Sequence, residues 1–440
     1  MNALRVLRGT SARVALSLSL STGALVLLAP AAARAAAPES APASAPAVPP
    51  APAPESAPES APVPGATASD FDALLGGGAT GAAPAGGLGP IASFLPNISA
   101  IGNFYAAYFS GEPTFRFGHD PHSTGFGLQE LELGIQSVVD PYFRADIFLS
   151  INFEEGLDIE EAYMTSLFDM PLGLQLRIGE FLTKFGRFNP RHLETWSFVD
   201  QPLPYRRFIG GEGLRALGVE ASVLLPLPAY VEVIASLQNS GNEQSFGGTD
   251  PFLGASGVGF METARVAVSF GGVDDAFGGT FGVSAATAPN ALSTAITEER
   301  SWLFGADFFM RIRPRGPMRW VDLTAEYLLR TAQVPGALVV EAGLYAEIAW
   351  RISRNWELGV RGDHMGVPGL VAYDAARPAD PYAPADETRG TVAVTFYPSE
   401  FVRARLQYSI GTLEGRDDNP YHEAVFALKF NVGPHGAHPF

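Results

Sequence analysis

The segment 142–153, YFRADIFLSINF, alternates without a break. Phe143, Ala145, Ile147, Leu149, Ile151 and Phe153 fall on one face, and Arg144, Asp146, Ser150 and Asn152 on the other. A period of two is that of an extended strand, whose successive side chains point to opposite faces. The pattern recurs. Val340, Ala342, Leu344 and Ala346 alternate with Glu341, Tyr345 and Glu347, and Val402, Ala404 and Leu406 with Arg403, Arg405 and Gln407. Sixteen strands are predicted, at 99–109, 125–139, 142–153, 157–167, 172–181, 214–225, 229–237, 259–270, 279–287, 300–312, 318–331, 338–351, 356–364, 388–397, 401–410 and 421–432.

Two features separate this pattern from a soluble sandwich. Strands of about 10 to 13 residues are long enough to cross a bilayer at a tilt. Their polar faces carry both signs of charge, as a wet lumen requires, so Arg144, Asp146, Glu341, Glu347, Arg403 and Arg405 are candidates for the lumen wall. The connections are also sorted by parity. Tight ones such as 140–141 (DP), 226–228 (PLP) and 398–400 (PSE) follow even-numbered strands, and longer ones mostly follow odd-numbered strands. Bacterial outer-membrane barrels have this asymmetry, with short periplasmic turns and long external loops. The expected fold is all-β: a transmembrane antiparallel β-barrel of sixteen strands with a long third external loop. Closure pairs every backbone polar group and leaves no edge in lipid. Tyr142, Trp302, Trp350, Trp356, Phe401 and Tyr408 lie near strand ends, where interfacial aromatic girdles form.

Composition sets the ends of the barrel. Arg5, Arg8 and Arg13 precede the apolar run 14–28 and the A-x-A sequence 33–35, so residues 1–35 read as a cleaved signal peptide. Residues 36–97 are an Ala/Pro/Gly-rich tract, expected to be a disordered periplasmic linker, and 98–440 the barrel. The implied location is the outer membrane of a Gram-negative cell, with outer-membrane lipid as a partner. A net charge of -17 gives no footprint for nucleic acid. The absence of cysteine excludes disulfides and thiolate chemistry.

One segment departs from the acidic average. Lys184, Arg187, Arg191, Arg206, Arg207 and Arg215 face only Glu180, Glu194, Asp200 and Glu212 within 180–215. A sixteen-stranded barrel is too wide for side chains to fill, so a long third loop can fold inward and narrow it. Confined guanidinium groups would focus an anion-attracting field, which makes these six the candidate constriction. The other reading is that they pair with wall carboxylates such as Asp146, Glu160 or Glu161 and only pin the loop.

This segment also carries a resemblance. GEFLTKFGRFNPRH (179–192), WSFVDQP (196–202) and GGEGLRALGVEASVLLPLPAYVEV (210–233) resemble a porin-like family within the phosphate-selective porin superfamily. Some of its members carry a zinc-regulated or TonB-dependent outer-membrane label. The resemblance implies a sixteen-stranded, often homotrimeric channel for small solutes. It also implies assembly by the barrel-assembly machinery, which would read a terminal aromatic, Phe430 or Phe440. Phosphate-selective members use lysine clusters, whereas Lys184 and Lys429 are the only lysines here.

Other chemistry is sparse. His119 and His122 have the spacing of a metal-binding pair but no third ligand, and read as exposed and solvated, as do His435 and His438. The loops 248–257 and 374–382 offer carboxylates without calcium-loop spacing. No G-x-S-x-G motif occurs. No catalytic residue, metal or cofactor is expected, and the chain is not expected to be an enzyme. The expected function is passive diffusion of small polar or anionic solutes past a constriction at 181–214. The alternatives are a non-conducting structural or adhesin barrel, an outer-membrane enzyme, and a TonB-linked receptor lacking a plug.

Overall fold

The computed structural model describes residues 96–111, 118–152, 156–240, 242–246, 259–272, 275–290, 293, 299–314, 319–334, 337–366 and 386–433. The signal peptide, the linker, loops 248–257 and 374–382, His435, His438 and Phe440 lie outside these residues.

Alternation builds the expected strands. They are β1 (Asn97–Phe109), β2 (Gly125–Val138), β3 (Phe143–Asn152), β4 (Gly156–Ser166), β5 (Gln175–Leu182), β6 (Arg215–Leu225), β7 (Tyr230–Asn239) and β8 (Phe260–Phe270). They continue as β9 (Phe277–Pro289), β10 (Arg300–Ile312), β11 (Trp320–Val334), β12 (Ala337–Arg351), β13 (Trp356–Met365), β14 (Glu387–Phe396), β15 (Val402–Leu413) and β16 (Tyr421–Val432). Each strand pairs antiparallel with its sequence neighbours, and β1 closes on β16 from Ala100↔Val432 to Phe109↔Glu423. The barrel therefore has no free edge. The start of β5 differs from expectation. Pro171–Gly173 forms a 3₁₀ turn with Leu172 at φ 62°, so pairing resumes only at Gln175. Leu172 and Gly173 both have positive φ, 62° and 64°, which no extended strand adopts, and this accounts for the late start.

The connections after β2, β6, β12 and β14 are tight, and those after β1, β5, β7 and β13 are long. Two odd-numbered connections depart from the parity rule: 153–155 and 335–336 are short.

The two faces differ as the pattern demands. Tyr142, Trp302, Trp350, Trp356, Phe401 and Tyr408 are exposed on the outside, with Trp356 packed on Phe396 and Tyr142 edge-on to Phe168. Asp146, Glu341, Glu347 and Arg405 are buried on the inside. Arg144 reaches Asp146 at 2.6 Å, and Arg403 is half-buried beside Arg405.

Residues 183–214 join β5 to β6 and fold into the barrel. Phe185, Phe188, Trp196, Tyr205 and Phe208 pack there with Met261, Leu303, Leu328 and Met365, the inward apolar residues of β8, β10, β11 and β13. Burying each such side chain contributes about 1.5–3 kcal/mol. Gly186 permits the turn that starts this packing. Its φ is +60°, and a Cβ there would collide with the Tyr205 hydroxyl and the Glu326 carboxylate.

Candidate functional site

The inner loop is tied to strands all around the wall. Gly186 N–H donates to Ser284 Oγ at 3.0 Å and Arg187 N–H to Glu326 Oε2 at 2.9 Å. Val199 N–H donates to Gln407 Oε1 at 2.8 Å, and Leu203 N–H to Asp363 Oδ1 at 3.1 Å. The main anchor is Asp200. Its carboxylate accepts from Arg206 (3.0 Å), Arg361 (2.7 Å), Arg389 (2.6 Å) and Gln407 (2.8 Å), all buried. Asp120 completes the network by accepting from Arg206 Nε at 2.8 Å.

Beside the loop lies a cavity of about 610 Å³. Ten Lys/Arg side chains line it against seven Asp/Glu. Several basic groups are spent on wall carboxylates: Arg177 on Glu220 (2.9 Å), Arg265 on Asp307 (2.6 Å) and Arg311 on Asp322 (2.7 Å). Four are not. Arg187 stacks its guanidinium 3.6 Å from the centre of the Phe309 ring. Arg191 donates to Thr195 O, Arg403 to Glu194 O (3.0 Å) and Arg405 to Trp196 O (3.0 Å). Among the described residues, none of these four forms an ion pair. Burial, and after it the charge of Arg191, pulls the Arg187 guanidinium down to about 10, still protonated at neutral pH.

The six loop cations expected at a constriction do not converge. Lys184, Arg187 and Arg191 line the cavity, with Lys184 3.8 Å from both Glu220 and Glu232. Arg206 and Arg207 are buried away from it. Arg215 binds Asp158 at 2.7 Å and the Ile159 carbonyl at 3.0 Å. Among the described residues none of the six cations pairs with Asp146, Glu160 or Glu161; Glu160 and Glu161 hold the loop through His192 instead, at 3.3 Å and 2.8 Å. Asp146 is taken by Arg144 and Gln136, and Glu161 accepts from Leu182 N–H and meets His192.

The reading of His119 as solvated is corrected. It is buried, 3.5 Å from Glu130 and 3.6 Å from Glu160. A short polar sequence, HDPH, gives no sign of this, because the burial comes from strands that are remote in the chain. Also unread were Glu130, Glu132 and His192. Their signals were the i, i+2 glutamates of QELEL (129–133) and the adjacent pair Glu160-Glu161, which breaks alternation.

No protein-family model matches the chain. An uncharacterized protein of Aquifex aeolicus (strain VF5) is 29% identical over 390 residues, covering 79% of this chain and 80% of the relative. An anion-selective porin from Comamonas acidovorans superposes over 77% of this chain and 99% of its own, with TM-score 0.51 and 9% identity. The fold is that of a porin barrel. The outer-membrane channel DcaP of Acinetobacter baumannii gives TM-score 0.50 and 12% identity over 77% of this chain and 97% of its own. At these identities the likeness is one of fold.

Proposed function

We propose that this protein is a porin-like channel of the Gram-negative outer membrane, through which small polar or anionic solutes diffuse passively. The observation that carries the reading is the set of Arg187, Arg191, Arg403 and Arg405, which face the 610 Å³ cavity and, among the described residues, form no ion pair with a carboxylate. Such groups in a confined, low-dielectric space concentrate anions through a focused field. Loop 183–214 narrows the lumen, and the long connections face the outside of the cell. Residues 1–35 direct export, the barrel-assembly machinery inserts the barrel, and three copies form a trimer. The sequence resemblance over 179–233 supports a relation to the phosphate-selective porin superfamily, with arginine in place of that family's lysine clusters.

Reversal potentials under a salt gradient test this reading. Wild-type protein should prefer anions, and Arg187→Glu combined with Arg191→Glu should move the potential toward cation preference. An unchanged potential would leave these arginines as packing elements only. The apolar cluster between loop and wall favours a second reading, a non-conducting structural barrel. In that case folded protein leaves a bilayer tight.

A further inference from the structure

A group of buried acids and histidines has no part in the channel reading. β2 presents Glu130 and Glu132, β4 presents Glu160 and Glu161, and two connections bring in His119 and His192; all six are buried. Two bulges build the group. Against β3, the register of β4 shifts at Glu160, so that Glu161 pairs with Phe148 and Ile159 with Leu149. Strict alternation would send one of the adjacent glutamates to the outer face; the bulge keeps both inside. Against β1, the register of β2 shifts at Gln129. The Gln129 amide then donates to His119 O at 2.6 Å and to Val199 O at 2.7 Å, which holds the His119 segment in place.

The distances are those of a coordination shell. His192 Nδ1 lies 3.3 Å from Glu160 Oε1 and 3.4 Å from Glu132 Oε2. His119 Nε2 lies 3.6 Å from the same Glu160 oxygen, and Glu130 Oε2 lies 3.5 Å from the other ring nitrogen of His119, Nδ1. An ion bound tetrahedrally with bonds of about 2.1 Å separates its ligand atoms by about 3.4 Å. The other His192 nitrogen, Nε2, sits 2.8 Å from Glu161 Oε2. That carboxylate–imidazole pairing is what fixes the ring of a metal-bound histidine. Finally, among the described residues neither oxygen of Glu132 makes a hydrogen bond, nor do Glu130 Oε1 and Glu160 Oε2, although all three residues are buried. Buried acceptors left this way are costly, and a cation among them removes the cost.

We propose that Glu132, Glu160 and His192 bind a divalent first-row transition-metal ion, and that His119 and Glu130 meet the shared Glu160 to form an adjoining site. Imidazole among carboxylates selects Zn²⁺, Mn²⁺ or Fe²⁺ over Ca²⁺ and Mg²⁺. Glu161 acts as the positioning residue for His192.

The test uses full-length protein extracted from membranes, stripped with EDTA and equilibrated with Zn²⁺ or Co²⁺ in detergent. Mass spectrometry should count at least one Zn²⁺ per chain, and Co²⁺ should give visible absorption that excess Zn²⁺ abolishes and Ca²⁺ does not. Glu160→Gln should abolish binding, and Glu161→Gln should weaken it about 10–100-fold. Heat-modifiable migration shows whether each variant is folded. A wild-type protein that retains no metal overturns the proposal, and so does a folded Glu160→Gln variant that binds as tightly as wild type. If a variant does not fold, the wild-type stoichiometry and Co²⁺ spectrum still decide.

Discussion

Arg187 links the packing of the inner loop to the proposed permeation path. Its main-chain N–H ties the loop to Glu326, while its guanidinium lies on Phe309 at the cavity wall. A base whose pKa is lowered loses its charge at a lower pH than an ordinary arginine. Anion preference should therefore hold from pH 6 to 9 and weaken as pH rises through about 10, read as reversal potential against pH. A flat profile to pH 11 would remove Arg187 from the permeation path. The sequence made this residue visible through charge alone, as a cation in an acidic chain. It could not separate Arg187 from Arg206. The two share a loop and a charge, and only the fold gives one an aromatic ring and the other the carboxylates Asp120 and Asp200.

At the scale of elements, the inner loop depends on Asp200. Removing that carboxylate leaves Arg361 and Arg389 buried with fewer partners, and breaking one side of such a buried network costs about 3–5 kcal/mol. Asp200→Ala should lower the urea midpoint of unfolding and let the loop move, giving larger and noisier conductance steps. Unchanged stability and steps would mean that the apolar cluster alone holds the loop. The strands were legible because each has an apolar outer face and a polar inner face, which forces strict alternation. The inward fold of the loop was also expected, but its partners at 361, 389 and 407 were not, because they are remote in sequence and the loop's helix, Leu203–Phe208, is a single short turn. The bulges at Gln129 and Glu160 lie between these cases. Adjacent inward glutamates were visible in the sequence, but the register shift that permits them was not.

At the largest scale, the described residues form a closed barrel with an apolar outside and a charged inside. Leu406 is 59% exposed on the outer face, whereas its neighbour Gln407 is buried within. Leu406→Arg should oppose insertion into liposomes, at a cost of about 2–4 kcal/mol, while Gln407→Glu leaves insertion intact, keeps the acceptor for Val199 N–H and acts only inside the barrel, by setting a second carboxylate against Asp200. Equal effects at both positions would contradict the assignment of faces. The most direct test of the account as a whole is single-channel recording of the purified, heat-modifiable barrel in a planar bilayer. The account predicts discrete conductance steps with anion preference. A bilayer that stays electrically tight after insertion of correctly folded protein would contradict it.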